Sequence, residues 1–185
     1  VHPLSAAGTP STGLAMAGLH AYDGHIRVRD LKERTATVDA AFARVTAMQK
    51  NLRSMGYNDM TVIAGGSPSF PVHAQRKEVE CSPGTFVFWD QGYTDRCPEQ
   101  PFKAAALLVT RVVSLPADGL ICIDLGHKSV SAENEIDRRV YFRDAPSLKP
   151  VGQSEEHLVL EAGPGHAFKP GDVLYGIPFH VCPTV

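Results

Sequence analysis

The sequence lacks most features that would narrow its function at once. It is short of net charge: 18 Lys and Arg stand against 20 Asp and Glu, leaving −2 at pH 7, with the two signs interleaved. Nothing in that balance makes a surface for nucleic acid or for an anionic membrane. Long apolar runs are missing too. The longest, such as Ala104–Val109, fall far short of the ~20 residues that span a bilayer. The N-terminus lacks the charged, apolar and small-residue layout of a secretory signal. Only four cysteines occur, Cys81, Cys97, Cys122 and Cys182, with no CxxC pair. Neither a disulfide framework nor a zinc ribbon is indicated, and a reducing, cytoplasmic setting is the expectation. No internal repeat is present. What remains is an ordinary globular composition, 43% hydrophobic and 21% charged, with chain enough for one domain or two small ones. The chain opens on Val1 and stops at Val185, just after an apolar strand-like run, so both ends read as cut.

Two textures divide it. Residues 14 to about 100 read as alternating strand and helix. Leu14–Tyr22 is a short apolar run, strand-like at its end. Asp30 is a plausible N-cap, after which Leu31, Val38, Phe42, Val45, Met48, Leu52 and Met55 recur at helical spacing until Gly56 supplies a stop. Met60–Ala64 reads as a strand leading into Gly65-Gly66-Ser67-Pro68, and Thr85–Trp89, rich in β-branched and aromatic residues, reads as another. Strand, long helix and strand in that order suggest a βαβ unit of a parallel sheet or barrel. From about residue 101 the helical period disappears. Leu107–Leu115, Leu120–Leu125, Arg139–Phe142, His157–Glu161 and Val173–Pro178 read as strands between Gly-, Pro- and Asp-bearing turns, a mostly antiparallel β domain. Ser5–Gly13 is small and polar and reads as a loop or a disordered end.

Four constellations could carry chemistry. Gly65-Gly66-Ser67-Pro68-Ser69 follows a strand, where converging backbone N–H groups and a hydroxyl suit an anion. The bland reading is a plain turn. Glu80-Cys81-Ser82-Pro83-Gly84-Thr85 could form a second arm of a phosphate cradle, although on this reading it precedes its strand; a tight turn set by Pro83 is the alternative. In Gly18–His25, alternation sends His20 and Tyr22 to one strand face, which suits a cofactor pocket or an ordinary core tyrosine. Finally, His180 and Cys182 stand at i and i+2. On an extended strand both would project from one face, within reach of a single metal ion whose shell solvent or substrate would complete. Weaker candidates are Glu155-Glu156-His157 as an acid–base cluster and Lys128 as an amine nucleophile. A polar turn and a solvated loop lysine are the simpler readings.

Taken together, these segments resemble the D-threonine aldolase and D-serine dehydratase family of fold-type III pyridoxal-phosphate enzymes. The resemblance is carried by GLHAYDGH (18–25), AGGSPSFP (64–71), ECSPGTFVFWDQGY (80–93), DLGHKSVSAEN (124–134), GQSEEHLVLE (152–161) and GDVLYGIPFHVCPT (171–184). It implies an α/β plus β fold. The last strands of an alanine-racemase-like (β/α)8 barrel would occupy residues 1–100, and a truncated C-terminal β domain residues 101–185. It implies Tyr22 at the pyridine ring, Gly66 and Ser67 with Gly84 and Thr85 at the phosphate, and His180 and Cys182 at a divalent metal, zinc or manganese. Some aldolases have an aspartate where Cys182 stands, and a thiolate favours zinc. The departure is that the Schiff-base lysine of the family lies upstream of Val1, so the catalytic lysine is not in this chain.

The implied activity of the intact protein is retro-aldol cleavage of D-3-hydroxy amino acids to glycine and an aldehyde. Dehydration of D-serine to pyruvate and ammonia is the neighbouring alternative. A reading of another class is a catalytically inactive gene fragment with a residual metal site. The expected partner is a small D-amino acid, with no nucleic acid and no membrane, and the resemblance leaves room for a homodimer of the intact protein.

Overall fold

The computed structural model describes residues 16–185, so the expectations for Ser5–Gly13 and for Leu14 lie outside the described residues. The chain divides into two compact units, the first ending at Gly84 and the second running from Thr85 to Val185.

The first unit is a parallel sheet of three short strands, β1 (Gly18–Ala21), β2 (Thr61–Ala64) and β3 (Glu80–Cys81), in that order. Between β1 and β2 runs α1 (Leu31–Ser54), and α2 (Phe70–His73) is one turn between β2 and β3. Both ends of α1 are where the sequence places them. The Asp30 carboxylate accepts from the Glu33 N–H at 2.8 Å, satisfying an otherwise orphan donor of the first turn. At the other end Gly56 adopts φ +97°, and the N–H groups of Gly56 and Tyr57 return to the carbonyls of Arg53 and Leu52, a left-handed glycine stop. The buried face is narrower than the apolar pattern suggests. Val38 and Leu52 are buried, and Val38 packs with Ile26 and Val72, whereas Leu31, Met48 and Met55 are exposed. A three-stranded sheet of short strands covers only part of a 24-residue helix. Arg34 is buried instead, its guanidinium donating to the carbonyls of Val28 and Arg29.

The expected strand at Thr85–Trp89 is not one. Thr85–Val87 is a 3-10 turn, closed by the Phe88 and Trp89 N–H groups on the Thr85 carbonyl. Trp89 takes φ +49° and is buried against Tyr93 and Phe102, with ring centroids 5.0 and 5.2 Å away. The aromatic residues pack on one another, and that packing outweighs their strand preference. The strand lies earlier, at Glu80–Cys81, with Ala64 opposite Cys81 in the parallel register. The Ser82–Gly84 loop therefore follows a strand, as the Gly65–Ser69 loop does.

The second unit is antiparallel. After the short helix α3 (Gln91–Arg96) come β4 (Leu108–Ala117), β5 (Leu120–Ile123), β6 (Val140–Phe142), β7 (Lys149–Gln153), β8 (Leu158–Glu161) and β9 (Val173–Pro178). They form one six-stranded sheet in the order β6-β9-β4-β5-β8-β7. Period-two burial builds its core: Ile121 and Ile123 on β5 and Leu158 and Leu160 on β8 are essentially inaccessible and pack with Val112, Phe142 and Leu174. Each such side chain contributes about 1.5–3 kcal/mol on leaving water. The strand not expected is β7. Pro150 and Gly152 disguise it, and it sits at the sheet edge with a register irregularity between those two residues, where a proline is tolerated. Between residues 105 and 180 the only helical element is the three-residue turn Ile136–Arg138. The α/β part followed by a β-rich part is the fold class expected from the sequence. All four cysteines are free thiols. Among the described residues no helix is long and apolar enough to cross a membrane.

Candidate functional site

In the first unit, polar groups gather at the carboxyl ends of the parallel strands. The Gly65–Ser69 turn follows β2 and the Ser82–Gly84 loop follows β3. Two contacts from Ser82 tie these ends together: its N–H donates to the Ala64 carbonyl at 3.1 Å and its hydroxyl to the Gly65 carbonyl at 3.2 Å. From β1, His20 Nε2 reaches the same hydroxyl at 3.2 Å. Open α/β sheets take ligands at this end of their strands.

Tyr22, just past β1, is 75% exposed. A side chain on Gly66 would begin 3.3 Å from the Tyr22 ring edge, and one on Gly24 would strike its hydroxyl. The ring thus stands against two glycines with most of its surface open. Gly65 is the constrained residue of the turn. It has φ +97°, and a Cβ there would lie 2.8 Å from the His73 ring, so an L side chain is excluded on both counts.

A buried polar network braces this turn. Ser69 accepts the Gly66 N–H at 3.0 Å and donates to Asp23 Oδ1 at 2.6 Å, while His73 Nε2 meets Asp23 Oδ2 at 2.8 Å. Burial works to raise the Asp23 pKa, but the hydrogen bonds from His73 and Ser69 outweigh it and hold the carboxyl below its ordinary value. Asp23 adjoins Tyr22, so one carboxylate couples the aromatic ring's loop to the glycine turn. The Gly66 amide, expected to face an anion, is engaged by Ser69 here, and Ser67 is buried in the same turn.

In the second unit, Thr85, His180 and Cys182 come together in part. Thr85 Oγ1 lies 3.4 Å from Cys182 Sγ and 3.4 Å from the Tyr93 hydroxyl. One expected phosphate residue therefore touches one expected metal residue. His180 and Cys182 do not lie on a strand. β9 ends at Pro178, and the following residues form a turn in which the Thr184 N–H returns to the Val181 carbonyl and the Thr184 hydroxyl donates to the His180 carbonyl. Strand alternation thus does not set their directions. The turn is anchored instead at the residue between them: the buried Val181 N–H donates to Asp90 Oδ2 at 3.0 Å, and Asp90 Oδ1 caps α3 through the Tyr93 N–H at 2.7 Å. Burial pushes the Asp90 carboxyl above its ordinary pKa despite those two amides. His180 Nδ1 is bonded to the Glu133 carboxylate. Among the described residues no group of three or more His, Cys, Asp or Glu side chains is placed to hold a metal. The donors on this turn are an imidazole Nε2 and an exposed thiol, chemically suited to a divalent ion but too few to fill its shell without outside ligands.

Two weaker candidates resolve to surface structure. Lys128 pairs with Glu155 at 2.8 Å and Glu156 at 3.0 Å, and these carboxylates raise its pKa. An amine nucleophile needs the opposite shift. The same contacts occupy the two glutamates of the proposed acid–base cluster. The sequence reading gave no individual role to Asp23, Ser69, His73, Asp90 or Glu133, although Asp23 and Ser69 stand inside motifs it singled out. For Asp90 the local signal is its place as an N-cap residue ahead of a short helix.

Residues 105–185 match the family described as “Putative serine dehydratase domain”. No curated protein sequence matches the chain. Among solved structures, D-threonine aldolase from Filomicrobium marinum is 30% identical with a TM-score of 0.86, over 98% of this chain and 49% of that one. D-threo-3-hydroxyaspartate dehydratase from Delftia sp. HT23 is 20% identical with a TM-score of 0.76, over 94% of this chain and 52% of that one. D-threo-3-hydroxyaspartate dehydratase has also been solved as a His→Ala variant and, with a cysteine two positions further on changed to Ala, in a metal-free form. An alanine racemase-like protein from Idiomarina loihiensis shares the fold at 19% identity, TM-score 0.71, over 94% of this chain and 51% of that one. This chain therefore spans about half the length of its solved relatives and belongs to the D-threonine aldolase and D-serine dehydratase family of alanine-racemase-like, fold-type III pyridoxal-phosphate enzymes.

Proposed function

We propose that the chain is part of a pyridoxal-phosphate- and metal-dependent lyase that cleaves D-3-hydroxy amino acids to glycine and an aldehyde. The observation that carries this reading is the gathering of Tyr22, the Gly65–Ser69 turn and the Ser82–Gly84 loop at the carboxyl ends of three adjacent parallel strands. An open aromatic face beside side-chain-free backbone suits a flat ring carrying a phosphate. Tyr22 would orient the ring, and Gly66, Ser67 and Gly84 would hold the phosphate. The Asp23–Ser69–His73 network keeps the turn in shape. When bound, pyridoxal phosphate supplies an electron sink for bond breaking at the substrate α-carbon.

His180 and Cys182 would hold one divalent ion, with solvent or the substrate hydroxyl in the remaining positions. That one D-threo-3-hydroxyaspartate dehydratase variant is described as being in a metal-free form supports a metal in a protein with a cysteine two residues after a histidine. Imidazole plus thiolate suits zinc better than manganese. A bound ion supplies Lewis acidity to a β-hydroxyl. The same thiol favours a second reading, dehydration of a D-3-hydroxy amino acid such as D-serine to pyruvate and ammonia, because a structurally similar protein with that histidine–cysteine spacing is a dehydratase.

The 185-residue chain alone should be inactive, because the lysine that the family resemblance requires lies outside it. The test uses the chain alone and the chain extended N-terminally to family length, each with pyridoxal phosphate and zinc or manganese. Glycine from D-threonine is expected from the extended protein only. Pyruvate from D-serine in its place selects the second reading, and neither product from the extended protein overturns both. In the extended protein, Cys182→Ala should cut turnover while leaving the bound-cofactor absorbance intact.

A further inference from the structure

We propose that Glu133 positions His180 so that Nε2 is the nitrogen presented to a metal. This inference rests on the metal reading of His180 and Cys182. A carboxylate has no proton to give, so the Glu133 contact requires Nδ1 to carry the hydrogen, and in the neutral ring a metal needs this puts the ligating lone pair on Nε2. Glu133 is itself held, since its other oxygen accepts from the Ser131 hydroxyl. The Ser131 N–H donates to Thr184 Oγ1 at 3.1 Å, and the Thr184 hydroxyl donates to the His180 carbonyl at 2.7 Å. The chain of bonds therefore closes on His180 from both sides: Glu133 fixes its ring and Thr184 its backbone. All of these groups lie in the second unit, around a turn already pinned at Val181 by Asp90. A protein that used His180 only for packing would have no need to orient a ring that is 40% exposed. A carboxylate on the far nitrogen of a ligating histidine sets the tautomer and strengthens the ligand, and its loss costs about 10–100-fold in metal affinity.

The alternative is that Glu133 is itself a metal ligand. Glutamine distinguishes the two, because its carbonyl still accepts the Nδ1 hydrogen but it is a poor ligand for a dication. The experiment titrates cobalt(II), a spectroscopic substitute for zinc, into the 185-residue chain. The readout is the thiolate-to-cobalt charge-transfer band, with Cys182→Ser as the control that removes it. Glu133→Ala should weaken cobalt binding about 10–100-fold, and Glu133→Gln should restore most of the loss. In the metal-free chain, nitrogen NMR should show His180 as the Nδ1–H tautomer, lost in Glu133→Ala and kept in Glu133→Gln. Unaltered affinity in Glu133→Ala, with a normal band, overturns the positioning role and leaves the metal site standing. Glutamine as damaging as alanine, with the tautomer kept, makes Glu133 a ligand and also overturns it. A wild-type chain with no charge-transfer band overturns the metal reading and this inference with it. If Glu133→Ala fails to fold, as judged by thermal unfolding, the tautomer and affinity of Glu133→Gln decide: wild-type values support positioning, and lost affinity overturns it.

Discussion

The two units hold themselves together by different means. The first has a small apolar cluster, Ile26, Val38 and Val72, and depends on a polar network in which Asp23, Ser69 and His73 are largely or wholly withdrawn from water. The second has a broad apolar core from five of its strands, and its polar network sits where β9 gives way to the His180–Cys182 turn. The difference teaches where rigidity comes from when strands are short. A four-residue parallel strand offers few side chains to bury, so hydrogen bonds among buried groups define the turn. In the antiparallel sheet, burial defines the frame and hydrogen bonds are left to shape a site.

The largest expected effect breaks the second unit's frame. Leu160 on β8 is fully buried among Ile121, Ile123 and Leu158. Leu160→Ala should cost about 2–5 kcal/mol in denaturant unfolding, from lost transfer energy and the cavity left behind. A loss below about 1 kcal/mol, less than this substitution costs in a rigid core, would mean that the sheet closes around the gap and is not the rigid partner in the comparison.

A smaller effect, distinguished by its pH dependence, tests the first unit. Asp23→Asn removes the charge that His73 and Ser69 hold. Hydrogen bonds to a charged group are worth about 1.5–3 kcal/mol each, so a loss of that order is expected near neutral pH. The Asp23 pKa is lowered on folding. Its contribution is therefore complete above the ordinary carboxylate value of 3.8 and disappears as pH falls through the lowered folded value. The gap in melting temperature between wild type and Asp23→Asn should close on acidification. Asp90 has the opposite sign: its folded pKa is raised, so ionising it costs stability as pH rises from 3.8 through the raised value. A gap that stays constant down to about pH 2, well below an ordinary carboxylate pKa, would show that Asp23 acts by shape and not by charge.

Much of the frame was legible in the sequence, and the reason is locality. Asp30 and Gly56 bracket α1 because cap and stop are made by residues within a turn of the helix end. Leu120–Ile123 and Leu158–Glu161 follow from alternation. Reading fails where tertiary packing decides. Pro150 and Gly152 hide an edge strand, and Thr85–Trp89 has strand-like residues that an aromatic cluster recruits into a turn. The site divides in the same way. The glycine loops and the His180–Cys182 pair are visible as short motifs. Their partners are not, since Ser69 and His73 lie 46 and 50 residues from Asp23, and Glu133 lies 47 from His180. The sequence also suggested one strand face for His180 and Cys182, where the chain instead turns and Asp90 sets the geometry.

The smallest expected effect sharpens the comparison from the surface. Lys128 follows Asp124-Leu125-Gly126-His127, one of the family-like stretches, and is the one lysine there that invites a catalytic role. Its surroundings argue otherwise. Glu155 and then Glu156 hold its ammonium and raise its pKa, so the neutral amine that attacks a carbonyl is made scarcer. The pair is exposed to water, where ion pairs contribute little. The backbone beneath is a different matter: Gly126 leaves no room for a side chain, since a Cβ there would lie 1.9 Å from the Glu155 carbonyl oxygen, and the His127 N–H donates to the Ser154 carbonyl at 2.9 Å. Main-chain contacts hold this corner, and Lys128 is laid over it. Lys128→Ala should therefore leave the melting temperature, the cobalt charge-transfer band and, in the extended protein, the bound-cofactor absorbance unchanged. Loss of the cofactor absorbance alone would make Lys128 the amine that joins the cofactor, and would remove the reason for holding the isolated chain inactive.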